Sequence, residues 1–127
     1  MKHALPRRAA EVRTALDQAR AIADSRGLPL TPERIAACLG ISRQQFLHAV
    51  EHGVDDPDMS PAARIRIHRM LWQAFCDCGA ELAEELLKPG SHTGAVFLGK
   101  NNFGYSDRAV PDADVSVQFV GEDEIPD

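Results

Sequence analysis

Three groupings in this 127-residue chain are of the residue types that carry chemistry. Residues 94–101, GAVFLGKN, contain G-x-x-x-x-G-K, the opening of a phosphate-cradling P-loop. The chemistry stops there. Asn101 stands where a Ser or Thr hydroxyl would bind magnesium, no apolar strand precedes Gly94, and only 27 residues follow Lys100, too few for the rest of such a fold. His48 and His52 share a helical face at i, i+4 without an H-E-x-x-H arrangement or a third ligand, which predicts a surface pair and no metal site. Cys38, Cys76 and Cys78 fit neither a disulfide framework nor a zinc spacing and predict reduced thiols. No serine or cysteine has an adjacent base that would activate it as a nucleophile. These residues predict no enzyme, no cofactor and no metal.

What remains is recognition chemistry. Arg43 and Gln44 are side chains that read guanine and adenine through paired hydrogen bonds, and Ser42 and His48 lie near them, with Arg34 upstream. They sit in residues 31–53, TPERIAACLGISRQQFLHAVEHG, which reads as two short helices and a tight turn. Thr31 caps the first and Pro32 occupies its first position, where a fixed φ suits the helix and the missing N–H is not needed. Gly40 ends it, because a residue without Cβ adopts positive φ easily. Ser42 and Gln45 form an S-x-x-Q capping box that restarts the chain. Ala36, Ile41 and Phe46 have the spacing of a DNA-binding helix-turn-helix: a small residue where the backbones approach and two bulky ones that set their angle. Ser42, Arg43, Gln44 and His48 would then face a major groove. The competing reading is a helical hairpin that merely packs.

Charge distribution favours the first reading. The net charge is −5, but residues 1–50 carry +4, residues 51–90 carry −4 and residues 91–127 carry −5. The basic part coincides with the helix-turn-helix, while the acidic end would repel DNA and suits a protein partner. No segment approaches membrane-spanning length and the start does not resemble a secretion signal, so a cytoplasmic protein is expected.

Around this unit the chain divides into residues 1–53 as a DNA-binding domain, 54–60 as a linker, 61–104 as a helical oligomerisation region, and 105–127 as a C-terminal strand and acidic tail. Residues 6–26 predict a helix with Ala9, Val12, Leu16, Ala19 and Ala23 on one stripe and Arg7, Arg13 and Arg20 on the other side, solvated or touching phosphates. Residues 61–88 predict the longest helix, opened by Ser60 and Pro61. Its stripe of Ile67, Leu71, Phe75, Cys78, Leu82 and Leu86 is widened by Met70, Trp72, Cys76 and Leu87. So broad an apolar surface predicts self-association, with Ile67, Leu71, Trp72, Phe75 and Leu82 as contact residues; the alternative is burial under the first three helices. Gly79 inside it marks a close approach or a bend, and Glu81, Glu84 and Glu85 read as a solvated edge. Residues 91–102 predict a short helix capped at Ser91 or Thr93. Residues 115–120, VSVQFV, alternate as a strand that would pair between subunits or with another protein. The fold class expected is mainly α: a helix-turn-helix bundle, a long oligomerisation helix, a short C-terminal helix and a lone strand.

One run is more specific than any periodicity. Residues 93–108, TGAVFLGKNNFGYSDR, resemble the C-terminal signature of phage terminase small subunits, T-G-A-[IV]-F-x-x-K-N-x-F-G-[WY]-x-[DN]-[KR]. Thr93, Gly94, Ala95, Val96, Phe97, Lys100, Asn101, Phe103, Gly104, Tyr105, Asp107 and Arg108 match, and Gly99 departs from it where a larger helix former is expected. The resemblance implies a non-enzymatic, ring-shaped homo-oligomer in the host cell cytoplasm. Such a ring binds double-stranded viral DNA at the packaging site and delivers it to the large terminase subunit, an ATPase and nuclease, and so to the portal. A helix-turn-helix transcriptional regulator is the alternative that residues 31–53 alone support.

Overall fold

The helices begin and end where the chain supplies side chains and turns to satisfy their free backbone groups. In the computed structural model, which describes residues 4–90 and 92–105, the order is α1 (Ala9–Ser25), α2 (Pro32–Leu39), α3 (Arg43–His52), α4 (Pro61–Leu87) and α5 (Thr93–Asn102). Among the described residues the chain is mainly helical and contains no strand. Residues 115–120 and the acidic end lie outside the described residues.

The caps expected between α1 and α4 are present. Thr31 Oγ1 accepts from the Arg34 N–H at 3.2 Å, and Pro32 opens α2. Gly40 stands at φ +77°, letting the Ile41 N–H reach back to the Ala36 carbonyl and the Gly40 N–H to that of Ala37. The Ser42 hydroxyl accepts from the Gln45 N–H at 3.0 Å while Gln45 Oε1 accepts from the Ser42 N–H at 2.8 Å, completing the capping box. Ser60 caps α4 through the Ala63 N–H, and Lys88, the residue before Pro89, is extended and ends it.

Two starts differ from expectation. α1 begins at Ala9 and leaves Pro6 outside, because Arg8 offers no capping acceptor and Arg7 is held instead by Asp56 and Asp58. α5 begins at Thr93 with His92 at its cap position and no side-chain cap bond, so Thr93 is the first helical residue and not the cap; Ser91 lies outside the described residues.

One buried cluster joins α1 through Val12, Leu16 and Ala19, α2 through Ile35 and Leu39, α3 through Phe46 and Val50, and α4 through Ile67, Leu71 and Cys78. Met59, within the segment expected as a linker, is buried in the same cluster. Phe46, Ile35, Ile67, Leu71 and Val12 are wholly enclosed, each contributing about 1.5–3 kcal/mol relative to exposure. Burial pushes the Cys78 thiol up to about 12, so it is inert at neutral pH.

An ion pair fastens α4 to the opposite side of the bundle. The Arg20 guanidinium on α1 donates to both carboxylate oxygens of Glu81, and Glu81 Oε1 also accepts from the Leu30 N–H at 2.8 Å. Glu81 is therefore no part of a solvated edge. The Arg20 guanidinium holds its carboxyl below the usual glutamate range, helped by the Leu30 N–H against partial desolvation. Gly79 marks a close approach: the Phe103 ring lies over it, and an added Cβ would meet that ring at 3.3 Å.

Candidate nucleic-acid interface

The hairpin of α2 and α3 positions the residues expected to read DNA. Ala36 is buried where the helices meet, and Ile41 and Phe46 are buried on either side of the Ser42 cap. The fold presents the five residues unequally. Gln44 and His48 are exposed one turn apart on the outer side of α3, with the centre of the His48 ring 4.6 Å from that of His52 and the ring planes tilted by 43°. Ser42 is exposed, but its hydroxyl is engaged in the capping box. Arg34 is half-buried on α2.

Arg43 is the residue whose position sequence does not predict. Its Nη1 donates to Asn102 Oδ1 at 3.1 Å, while Asn102 Nδ2 donates to the Glu33 carboxylate at 3.0 and 3.2 Å. Asn102 is 8% exposed and is the buried polar residue among the described ones. In this conformation Arg43 belongs to a bridge between α3, α5 and α2 and is not presented as a free guanine reader. The bridge is long-range, with Asn102 at 59 positions from Arg43 and 69 from Glu33, so no local pattern announces it.

The outer face of α3 also lines a cavity of about 500 Å³. Gln44 and His48 form one wall, and Leu5, Asp55, Asp56 and Met59 form others. The Asp56 carboxyl lies below the usual aspartate range because the Asp58 N–H donates to it, and Arg7 adds to the effect. Arg7 is thereby paired, as are Arg13 and Arg20 on α1. Arg13 lies 3.9 Å from Asp17, and Arg20 pairs with Asp24 and Glu81. Arg7, Arg13 and Arg20 are thus engaged within the chain and are not a free phosphate-binding row, whereas Arg8, Arg26 and Arg34 have no ion pair among the described residues.

The signature residues occupy α5 and its exit. Thr93 and Gly94 lie exposed in the first turn, Phe97 is 65% exposed, and the Asn101 amide donates to the Phe97 carbonyl at 2.8 Å. Lys100 is exposed. Phe103 packs on Phe75 with ring centroids 4.8 Å apart, and Gly104 turns the chain at φ +71° so that the Tyr105 ring folds back onto Gly99. A Cβ at position 99 would overlap that ring, which is the physical reason a larger helix former is absent there. Asp107 and Arg108 lie outside the described residues.

The expected oligomerisation residues divide. Ile67, Leu71 and Leu82 are buried in the chain's own core, covered by the other helices, and are not offered to a second copy. Phe75 is half-buried against Phe103. Trp72 is 52% exposed. Among the described residues no group of three or more His, Cys, Asp or Glu could hold a metal, and no helix is long and apolar enough to cross a membrane.

No family model, curated protein or solved structure matches this chain.

Proposed function

We propose that this chain is a small terminase subunit: a DNA-recognising protein that binds double-stranded viral DNA at a packaging site and hands it to a large ATPase and nuclease subunit. The observation that carries the reading is the α2–α3 hairpin. It is capped at both starts, turned at Gly40, and leaves Gln44 and His48 exposed on the outer side of α3. The signature in residues 93–108 supports the packaging role over gene regulation. It supplies a second, separate surface, with Phe97 exposed on α5, suited to a protein partner and not to DNA. The chain performs no chemistry of its own in this reading. It acts in the host cell cytoplasm as a ring-shaped homo-oligomer whose weak individual DNA contacts add, and the large subunit connects it to the portal.

Fluorescence anisotropy with a random duplex library tests the DNA step. Binding at low salt that falls steeply with added salt is expected, with at least about tenfold weaker binding after Gln44→Ala with His48→Ala. A wild-type chain that binds no duplex at low salt overturns the reading. Stimulation of the large subunit's ATPase by the full chain tests the second step; specific binding to a promoter-like palindrome without such stimulation would favour the transcriptional regulator.

A further inference from the structure

The outer side of α4 carries a second apolar stripe that none of the described helices covers. Ile65, Trp72 and Leu87 are 54%, 52% and 84% exposed. Arg69, Cys76, Ala80 and Ala83 are exposed between them. Together these residues follow the helical period along one face, opposite the buried line of Ile67, Leu71, Ala74, Cys78 and Leu82.

The positions along this stripe pair off about Cys76. Trp72 and Ala80 lie four positions to either side, Arg69 and Ala83 seven, and Ile65 and Leu87 eleven. Reversing the helix and laying it on itself therefore brings Trp72 over Ala80, Arg69 over Ala83, Ile65 over Leu87, and Cys76 over its own copy. Each bulky or long residue meets a small one in the inner positions, and two large aliphatics meet at each end. Large against small is what close helix packing requires.

Charge agrees with the same orientation. Exposed Arg66 lies on one flank in the first half of α4, and exposed Glu84 lies on that same flank in the second half. Neither has an ion pair with another described residue. In an antiparallel pair like flanks meet, so Arg66 of one copy falls beside Glu84 of the other. A parallel pair would set Arg69 of one copy against Arg69 of the other in the seam. The seam from Ile65 to Leu87 is about 33 Å long at 1.5 Å per residue.

We propose that α4 pairs with α4 of a second copy in an antiparallel, twofold contact centred on Cys76. The proposal rests on the self-association in the function proposed above but not on DNA recognition. A contact of this kind closes on itself, so any larger ring must be built from such dimers through a further surface.

The test uses the full chain. Light scattering and sedimentation should show a dimer or a multiple of dimers. Trp72→Arg should weaken association at least tenfold while leaving helix content and melting unchanged, since its side chain lies outside the monomer core. Arg66→Glu should weaken the dimer, and adding Glu84→Arg in the same chain should restore it. In a Cys76→Ser background, chains carrying Ile65→Cys mixed with chains carrying Leu87→Cys should form a 65–87 disulfide under mild oxidation. A monomeric wild type overturns this proposal and the ring together. An assembly that survives Trp72→Arg, or that yields 65–65 cross-links with no charge-swap rescue, overturns the antiparallel contact alone.

Discussion

The two sides of α4 have nearly the same appetite for burial and opposite fates. On the inner side, Ile67 and Leu71 are wholly enclosed by α1 and α3 and Cys78 is shut away from solvent. On the outer side, Ile65, Trp72 and Leu87 remain in contact with water. The inner line of Ile67, Leu71, Ala74, Cys78 and Leu82 is apolar throughout and fixes how the helices pack; the outer line is interrupted by Arg69 and by small residues. Apolar content alone does not distinguish a core from an interface. The interruption does.

The sharpest way to break this contrast is truncation on either side. Leu71→Ala should cost about 2–5 kcal/mol in urea unfolding, because the cavity has no means of collapsing, while Trp72→Ala at a dilution that favours monomer should cost less than about 1 kcal/mol. Equal losses would mean that the outer line is part of the core.

A smaller effect is expected from the ion pair that holds the inner side to α1. Glu81→Gln should lose about 1–2 kcal/mol, discounted because both partners reach solvent. The carboxyl is held below its ordinary value in the folded chain, so its contribution is full above the unfolded glutamate pKa of about 4.3 and is lost as pH falls through the folded value. The gap between wild type and variant should therefore close below about pH 4. A gap that widens in acid would refute the assignment.

Asn102→Ala should leave the four-helix cluster folded and loosen α5, at a cost of about 1–2 kcal/mol. Hydrogen exchange should speed up in residues 93–102 and not in α4. The least energetic test uses the thiols. A thiol reagent should label Cys76 in the native monomer at the rate of an accessible cysteine, whereas Cys78, two positions on but facing inward, should react only on unfolding.

Much of this architecture is local and was therefore legible. Thr31, Pro32, Gly40, Ser42 and Gln45 specify the hairpin within a few residues of one another, and Ser60, Pro61 and Pro89 bound α4 in the same way. The candidate site was legible only in part. Gln44 and His48 stand on the outer side of α3 as helical spacing requires, but the engagement of Arg43 by Asn102 depends on a partner supplied by a different helix. Glu81 looked like a surface acid for the same reason: Arg20 is 61 positions away. Periodicity gives α4 one broad apolar surface and does not divide it into a part the chain covers and a part it leaves exposed, so Ile67, Leu71 and Leu82, expected as contact residues, lie in the core. The small size of Gly99 also had no explanation until the Tyr105 ring was seen against it.

The hydrogen bond between Arg43 and Asn102 joins the leading end of α3 to the last turn of α5. A guanidinium has finite capacity to donate at one angle, and an acceptor that draws it elsewhere takes it from Asn102. Lifting α5 frees the Nη1 donor of Arg43 at the end of α3, and an anion that draws Nη1 away from Asn102 loosens α5. Thermodynamics makes the two effects equal in size, so a ligand gripping one end of this molecule is felt, by the same factor, at the other.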